Sequence, residues 1–218
     1  MQKHHQMKYL ALLLLLGAMG CATKSENHRL PFYNTPDFTP VWLGPDDNGY
    51  ATIHTIAPFS LTNQLGKTIT NRQTMGKIYV ANFFFASCGS ICPKMMSNLA
   101  DVQQAFANDS RVLLLSHTVT PLRDSVPVLF KYATDHHIDN KKWWLLTGDK
   151  DAIYQLARKA YFADEATGYN KTADEFLHTE NVVLIDPKGR IRGVYNGTLK
   201  LEMANLINNI RLLEAEKE

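Results

Sequence analysis

The chain has 218 residues, 45% hydrophobic and 20% charged, which suits one soluble domain of ordinary size carrying a tail. Its formal net charge is +2, and two of its 23 basic residues, Lys3 and Lys8, lie in an opening segment without Asp or Glu. The remaining chain carries as many acidic as basic residues, so no clustered basic face argues for nucleic acid.

The opening stretch, MQKHHQMKYLALLLLLGAMGC, has a basic start, an apolar run and then small residues. It reads as a secretory signal over residues 1–20, too short to cross a bilayer as a permanent helix. It ends at Cys21, preceded by Gly20, an arrangement that resembles a bacterial lipoprotein signal whose cysteine becomes the lipid-bearing N-terminus. The chain has three cysteines, an odd number for an exported protein, and a lipid on Cys21 would leave Cys88 and Cys92 as the pair.

Residues 21–50 are polar and rich in proline, and read as a tether and an extended lead-in whose aromatics can dock on the domain. The domain proper is expected over residues 51–218. APFSLTNQLGKTIT alternates around Leu65, Gly66 and Lys67, the pattern of a hairpin. KIYVANFFFAS is a nearly unbroken apolar run, the mark of a strand buried on both faces. A helix is predicted from Pro93 to Ala107, with Met96, Leu99, Val102 and Phe106 at helical spacing.

RVLLLSHTV is a second buried strand, and residues 122–137 read as a helix with Pro127 near its start. KWWLLTG is a third strand, with Trp143 and Trp144 as core and rim. DKDAIYQLARKAYF is a helix capped by Asp149 or Asp151. After a looser stretch, NVVLIDPKGRIRGVYNG gives two strands around an Asp-Pro-Lys-Gly turn, and LKLEMANLINNIRLLEAEK closes the chain as an amphipathic helix. Strands alternating with helices imply an α/β fold: a central, mainly parallel sheet flanked by helices, with an added N-terminal β-hairpin. That element order is thioredoxin-like, and it sets the cysteine pair at the carboxyl end of a central strand, where open α/β sheets commonly hold ligands.

In FFFASCGSICPKMM the cysteines are four positions apart on a strand-to-helix turn, with a proline directly after the second. Cys92 is expected at the helix N-terminus, where unpaired N–H groups and the helix dipole lower a thiol's pKa. Such a pair can close as a disulfide, cycle as a dithiol oxidoreductase, or hold a soft metal ion. A metal asks for a further ligand, and eight histidines are available. His4 and His5 fall in the signal and His28 in the tether, His54 precedes the core, and His136 and His137 end a helix. His117 ends the second buried strand and reads as a solvated loop residue or a fourth, weaker ligand. His178 stands at the entry to NVVLID, with Asp174 and Glu175 just before it as groups that could orient it. Met95 and Met96 are soft donors in principle, but read as a half-exposed surface residue and a packing residue.

Four segments in order, FFFASCGSICPKMMSNL, LLLSHTVTPLRDSVPVL, WWLLTGDKDAIYQLA and FLHTENVVLIDPKGRIRGVYNGT, resemble SCO/SenC proteins, and the resemblance runs over residues 32–212. It implies a membrane-tethered, thioredoxin-like copper protein whose copper ligands fall here on Cys88, Cys92 and His178. It further implies delivery of Cu(I) or Cu(II) to the binuclear copper site of a cytochrome c oxidase subunit, with a copper or electron donor protein upstream. A metallochaperone of the bacterial cell envelope, facing the periplasm and anchored through Cys21, is thus the leading reading, rather than an enzyme. The rivals are a thiol–disulfide oxidoreductase in which Cys88 and Cys92 are the redox-active pair, and a redox or copper sensor. Two departures stand out. Gly89 replaces the proline usual after the first cysteine, and SHTVTPLRD lacks the acidic residue before its proline while keeping Asp124.

Overall fold

The computed structural model describes residues 29–163 and 179–216. Cys21, His178, Asp174 and Glu175, with the signal and the start of the tether, lie outside the described residues. A small antiparallel pair opens them, β1 (Phe32–Tyr33) with β2 (Pro40–Val41). The main sheet follows: β3 (Ser60–Asn63), β4 (Thr68–Thr70), β5 (Ile78–Phe84), β6 (Val112–Thr118), β7 (Trp143–Thr147), β8 (Asn181–Ile185) and β9 (Ile191–Asn196). The helices are α1 (Asn71–Thr74), α2 (Ile91–Ala105), α3 (Val126–Asp135), α4 (Lys150–Gln155) and α5 (Lys200–Ala215).

The seven strands lie in the order β4-β3-β7-β6-β5-β8-β9. Parallel pairing is confined to the centre, where β5 pairs with β6 and β6 with β7. The hairpin β3–β4 joins antiparallel through β7, and β8–β9 joins antiparallel through β5. Every residue of β5 and β6 is buried, because helices cover both faces of the centre. Alternation along the strands sorts the core into two layers. Val80, Phe84 and Leu114 meet α2, α3 and α5 on one face, while Tyr79, Phe83 and Leu115 meet α4 and the N-terminal segment on the other.

Turn and cap chemistry explains the boundaries. Asn63 Oδ1 accepts from the N–H groups of Leu65 and Lys67, and Gly66 takes the positive φ (73°) that the β3–β4 turn requires. Asp149 caps α4 by accepting from Ala152 N at 2.8 Å. The helix predicted beyond it changes pitch: residues Leu156–Ala160 form a π turn that ends with Tyr161 N donating to Leu156 O at 3.1 Å. The lead-in docks on the domain. Leu30 and Phe32 are buried, and Arg192 holds the carbonyls of Leu30 and Pro31. Among the described residues no helix is long and apolar enough to cross a membrane.

Candidate functional site

β5 ends at Phe84, and the chain turns through Phe85–Ser90 into α2, carrying Cys88 on the turn and Cys92 in the first helical turn. Asp124 fixes the root of that turn. This buried carboxylate accepts from Ala86 N at 3.0 Å, and its same oxygen takes the hydroxyls of Thr118 and Thr120. Val119 N donates to Phe84 O at 2.9 Å, so the loops after β5 and β6 are stitched together at the cysteine edge. The sequence identified Asp124 only as a kept position; its contact with Ala86 supplies the reason for it. Gly89 has no left-handed φ, and a Cβ built on it would meet nothing within 4 Å, so neither its backbone nor its surroundings demand a glycine there.

Both cysteines are free thiols; Cys88 is half-buried and Cys92 is 4% exposed. No side chain caps α2, and its open N–H groups turn to Cys88 instead. Burial opposes ionisation of Cys88. The hydrogen bond from Cys92 and the N–H groups of Ser90, Cys92 and Ile91 outweigh it, and hold this thiol below the ordinary range. Cys92 goes the other way. Burial first, then its bond to Cys88, push it up to about 12 against the N–H of Phe85. The expected thiolate at Cys92 is therefore corrected: the helix N-terminus serves Cys88, which lies outside the helix.

Beneath this first turn lies a buried polar network. Trp143 Nε1 donates to Ser116 Oγ at 2.8 Å, Ser116 donates to Asn82 Oδ1, and Asn82 Nδ2 reaches the sulfurs of Met95 and Met96, each at 3.8 Å. Met95 is fully buried rather than half-exposed, and both thioethers are committed to packing. The turn after β9 presses on the same helix. A Cβ on Gly197 would meet Met95 Cγ at 2.7 Å, and Asn98 Nδ2 donates to Gly197 O at 2.9 Å. Gly197 N in turn donates to Glu180 O at 2.8 Å, which ties the approach to β8 to the cysteine edge.

His117 is a second correction. It sits inside β6, fully buried, and belongs to the face opposite α2. Its ring stacks on Phe83 with centroids 5.0 Å apart, beside Tyr161 and Phe59. Nδ1 lies 3.4 Å from Asn82 O, and Nε2 has no partner among the described residues. Burial lowers its pKa to about 4, so it stays neutral. Unfolding frees it to bind a proton below about pH 6.5, so its contribution is complete above that pH and is lost as the pH falls towards 4. The depression is worth about 3 kcal/mol. Urea midpoints measured at pH 7 and pH 4.5 are expected to fall further apart in the wild type than in His117→Phe; equal falls would refute this.

Two other described histidines make contacts of their own. His54 Nε2 bonds Ala160 O at 2.8 Å, and His136 stacks on Tyr132. Among the described residues no group of three His, Cys, Asp or Glu side chains could hold a metal ion, so two sulfurs make up the described donor set. Paired sulfurs at one edge suit a soft ion such as Cu(I) or Zn(II), or thiol–disulfide exchange, and are a poor match for hard cations.

A sequence profile described as SCO1/SenC matches residues 48–212. The chain belongs to the SCO1/SenC family. Three solved structures of the family are similar to it. BsSco, described as a member of the Sco family of cytochrome c oxidase assembly proteins with a disulfide switch, is 26% identical, with a TM-score of 0.64 over 76% of this chain and 96% of that one. A SCO1/SenC family lipoprotein from Bacillus anthracis is 26% identical, with a TM-score of 0.65 over 75% and 96%. Arabidopsis thaliana ScoI, solved with copper bound, is 26% identical, with a TM-score of 0.57 over 73% and 98%. The thioredoxin-like architecture read from the element order is that of these SCO1/SenC proteins.

Proposed function

We propose that this SCO1/SenC protein is a membrane-tethered copper carrier that binds the ion through Cys88, Cys92 and His178 and serves assembly of the binuclear copper site of cytochrome c oxidase. The observation that carries this reading is the sulfur pair itself: two free thiols at the carboxyl end of a central strand, hydrogen-bonded to one another over a helix N-terminus. A copper-bound relative with the same fold supports the choice of ion. His178 is covalently joined to Thr179, which leads into β8, and Val182 of β8 pairs with Asn82 near the end of β5. That connection supports His178 as the third ligand. The pattern around Cys21 and a family lipoprotein support a signal over residues 1–20, a lipid on Cys21 and a tether facing the periplasm. Such an anchor raises the local concentration of the carrier beside a membrane-embedded acceptor. Copper is cargo here. It arrives from a donor protein and displaces the thiol protons, so loading weakens as the pH falls.

A second reading is favoured by the asymmetry of the thiols. A half-exposed Cys88 with a lowered pKa, backed by a buried Cys92 that keeps its proton, is what a thiol–disulfide oxidoreductase acting on the oxidase cysteines would use. An anaerobic Cu(I) titration of residues 22–218 against a competing chelator separates the two. One tightly held Cu(I), weakened about a hundredfold in His178→Ala, is the expected result for a three-ligand carrier. Weak binding that the substitution leaves unchanged, together with catalytic reduction of a disulfide substrate, would favour the oxidoreductase.

A further inference from the structure

The described residues begin at Arg29, eight positions after Cys21. Fully extended, that length of chain reaches at most about 30 Å, so a lipid on Cys21 keeps the first docked residues close to a bilayer. Arg29 shares a face with Trp42, which directly follows β2. Both line an open cavity of about 250 Å³, together with Phe32, Leu43, Arg190 and Arg192. Trp42 is 63% exposed, and Pro40 and Pro45 are exposed on either side of it. An indole this open to water suits the headgroup–acyl boundary of a membrane, which serves both its apolar ring and its N–H. The Arg29 guanidinium stands beside Gly44, 3.8 Å from where a Cβ would lie, and makes no ion pair among the described residues, so it is free for a phosphate. Two carboxylates of this face are already engaged: Asp47 accepts from Gly44 N at 2.6 Å, and Glu216 accepts from Leu30 N and Arg192. Asp46 is exposed on the same loop, so the contact rests on the indole more than on net charge.

Arg190 and Arg192 set this face at the β8–β9 turn. Ile185, at that end of β8, pairs with Tyr79 near the start of β5, whereas the cysteine turn follows Phe84 at the other end. The seven residues of β5 thus hold the patch and the thiols about 20 Å apart. We propose that Trp42 and Arg29 form a membrane-contact patch at the root of the tether: the indole sits at the headgroup boundary of a phospholipid bilayer, the guanidinium meets lipid phosphates, and the cysteine edge faces away. The inference rests on the lipid anchor proposed at Cys21. An anchored domain is already at the surface, so a weak second contact is enough to hold it in one orientation. Held this way, Cys88 is presented to the water-facing part of a membrane-embedded acceptor rather than to lipid.

The test uses the full chain, expressed with its signal and reconstituted into phosphatidylcholine vesicles with or without a nitroxide high on the acyl chains. A nitroxide quenches emission only at short range. Trp143 is buried and Trp144 half-buried, and Trp42→Phe isolates the share of emission that belongs to Trp42. The wild type is expected to lose emission in nitroxide vesicles, and Trp42→Phe to show no such loss. A dye on Cys88 is expected to be equally bright in both kinds of vesicle. Wild-type emission that is the same in both, quenching that persists in Trp42→Phe, or a Cys88 dye quenched as strongly as Trp42 would overturn the proposal. A chain that carries no acyl mass on Cys21 and does not float with the vesicles would overturn the anchor, and this inference with it. Mass spectrometry of Cys21 tells that failure from a failure of the patch alone.

Discussion

Alkylation of the reduced, metal-free protein near neutral pH is expected to label Cys88 and spare Cys92. The thiolate is the nucleophile, so reactivity follows the fraction ionised. Cys88 sits below its ordinary value of 9.0, while Cys92 is pushed up to about 12. That gap makes the thiolate fraction at Cys88 much the larger, and the greater intrinsic nucleophilicity of the more basic sulfur recovers only part of the difference, so a net preference for Cys88 remains before access is counted. Access adds to it, since Cys92 is 4% exposed. In Cys88→Ser, Cys92 loses the partner that holds it up but stays buried, so labelling should remain slow. Peptide mass mapping after a short pulse of iodoacetamide reads the outcome directly. Equal labelling, or Cys92 first, would contradict the assignment. On the proposed function this would order events: Cys88 would meet cargo or a partner thiol first, and Cys92 would follow by giving up its proton.

The largest expected loss of stability comes from Asp186→Ala. Asp186 is 1% exposed, accepts from Arg190 Nε at 2.6 Å, and lies 3.5 Å from Arg192 Nη1. It also accepts from the N–H groups of Lys188 and Arg190, and so shapes the β8–β9 turn, where Gly189 supplies a φ of 82°. Phe32 is packed between the two guanidinium groups, 4.8 Å from that of Arg190 and 4.2 Å from that of Arg192. Removing the carboxylate leaves buried cations without their shared anion, which typically costs about 3–5 kcal/mol. Glu216 still holds Arg192 at 2.8 Å, so the lower end, about 3 kcal/mol, is expected. Urea unfolding measures it, and the docked lead-in around Leu30 and Phe32 should become sensitive to limited proteolysis. A loss under about 1 kcal/mol with an unchanged digestion pattern would show that the arginines are held by other means.

Most of the architecture was legible in the sequence because the pattern and the packing agree. The unbroken apolar runs of β5 and β6 announced strands covered on both faces, and Asp149, Gly66 and the Asp-Pro-Lys-Gly turn gave the local stops. The cysteine pair was legible as a site from its place on a strand-to-helix turn. What the sequence could not give was direction. Whether the helix N-terminus serves the sulfur inside the helix or the one before it depends on backbone geometry at Ser90, and spacing does not encode that. His117 was misjudged because one residue of strand register separates the face of α2 from the face of Phe83. Met96 was legible as a packing residue, whereas Met95, read as half-exposed, is buried because Asn82 and the turn at Gly197 press on it.

The central claim, that Cys88, Cys92 and His178 together hold one Cu(I), is tested most directly by X-ray absorption spectroscopy of the anaerobically loaded protein beside the chelator titration of His178→Ala. The account predicts two sulfur neighbours at bonding distance and one imidazole nitrogen in the wild type, with the nitrogen signal and most of the affinity lost in the variant. An unchanged spectrum and unchanged affinity in His178→Ala would contradict it.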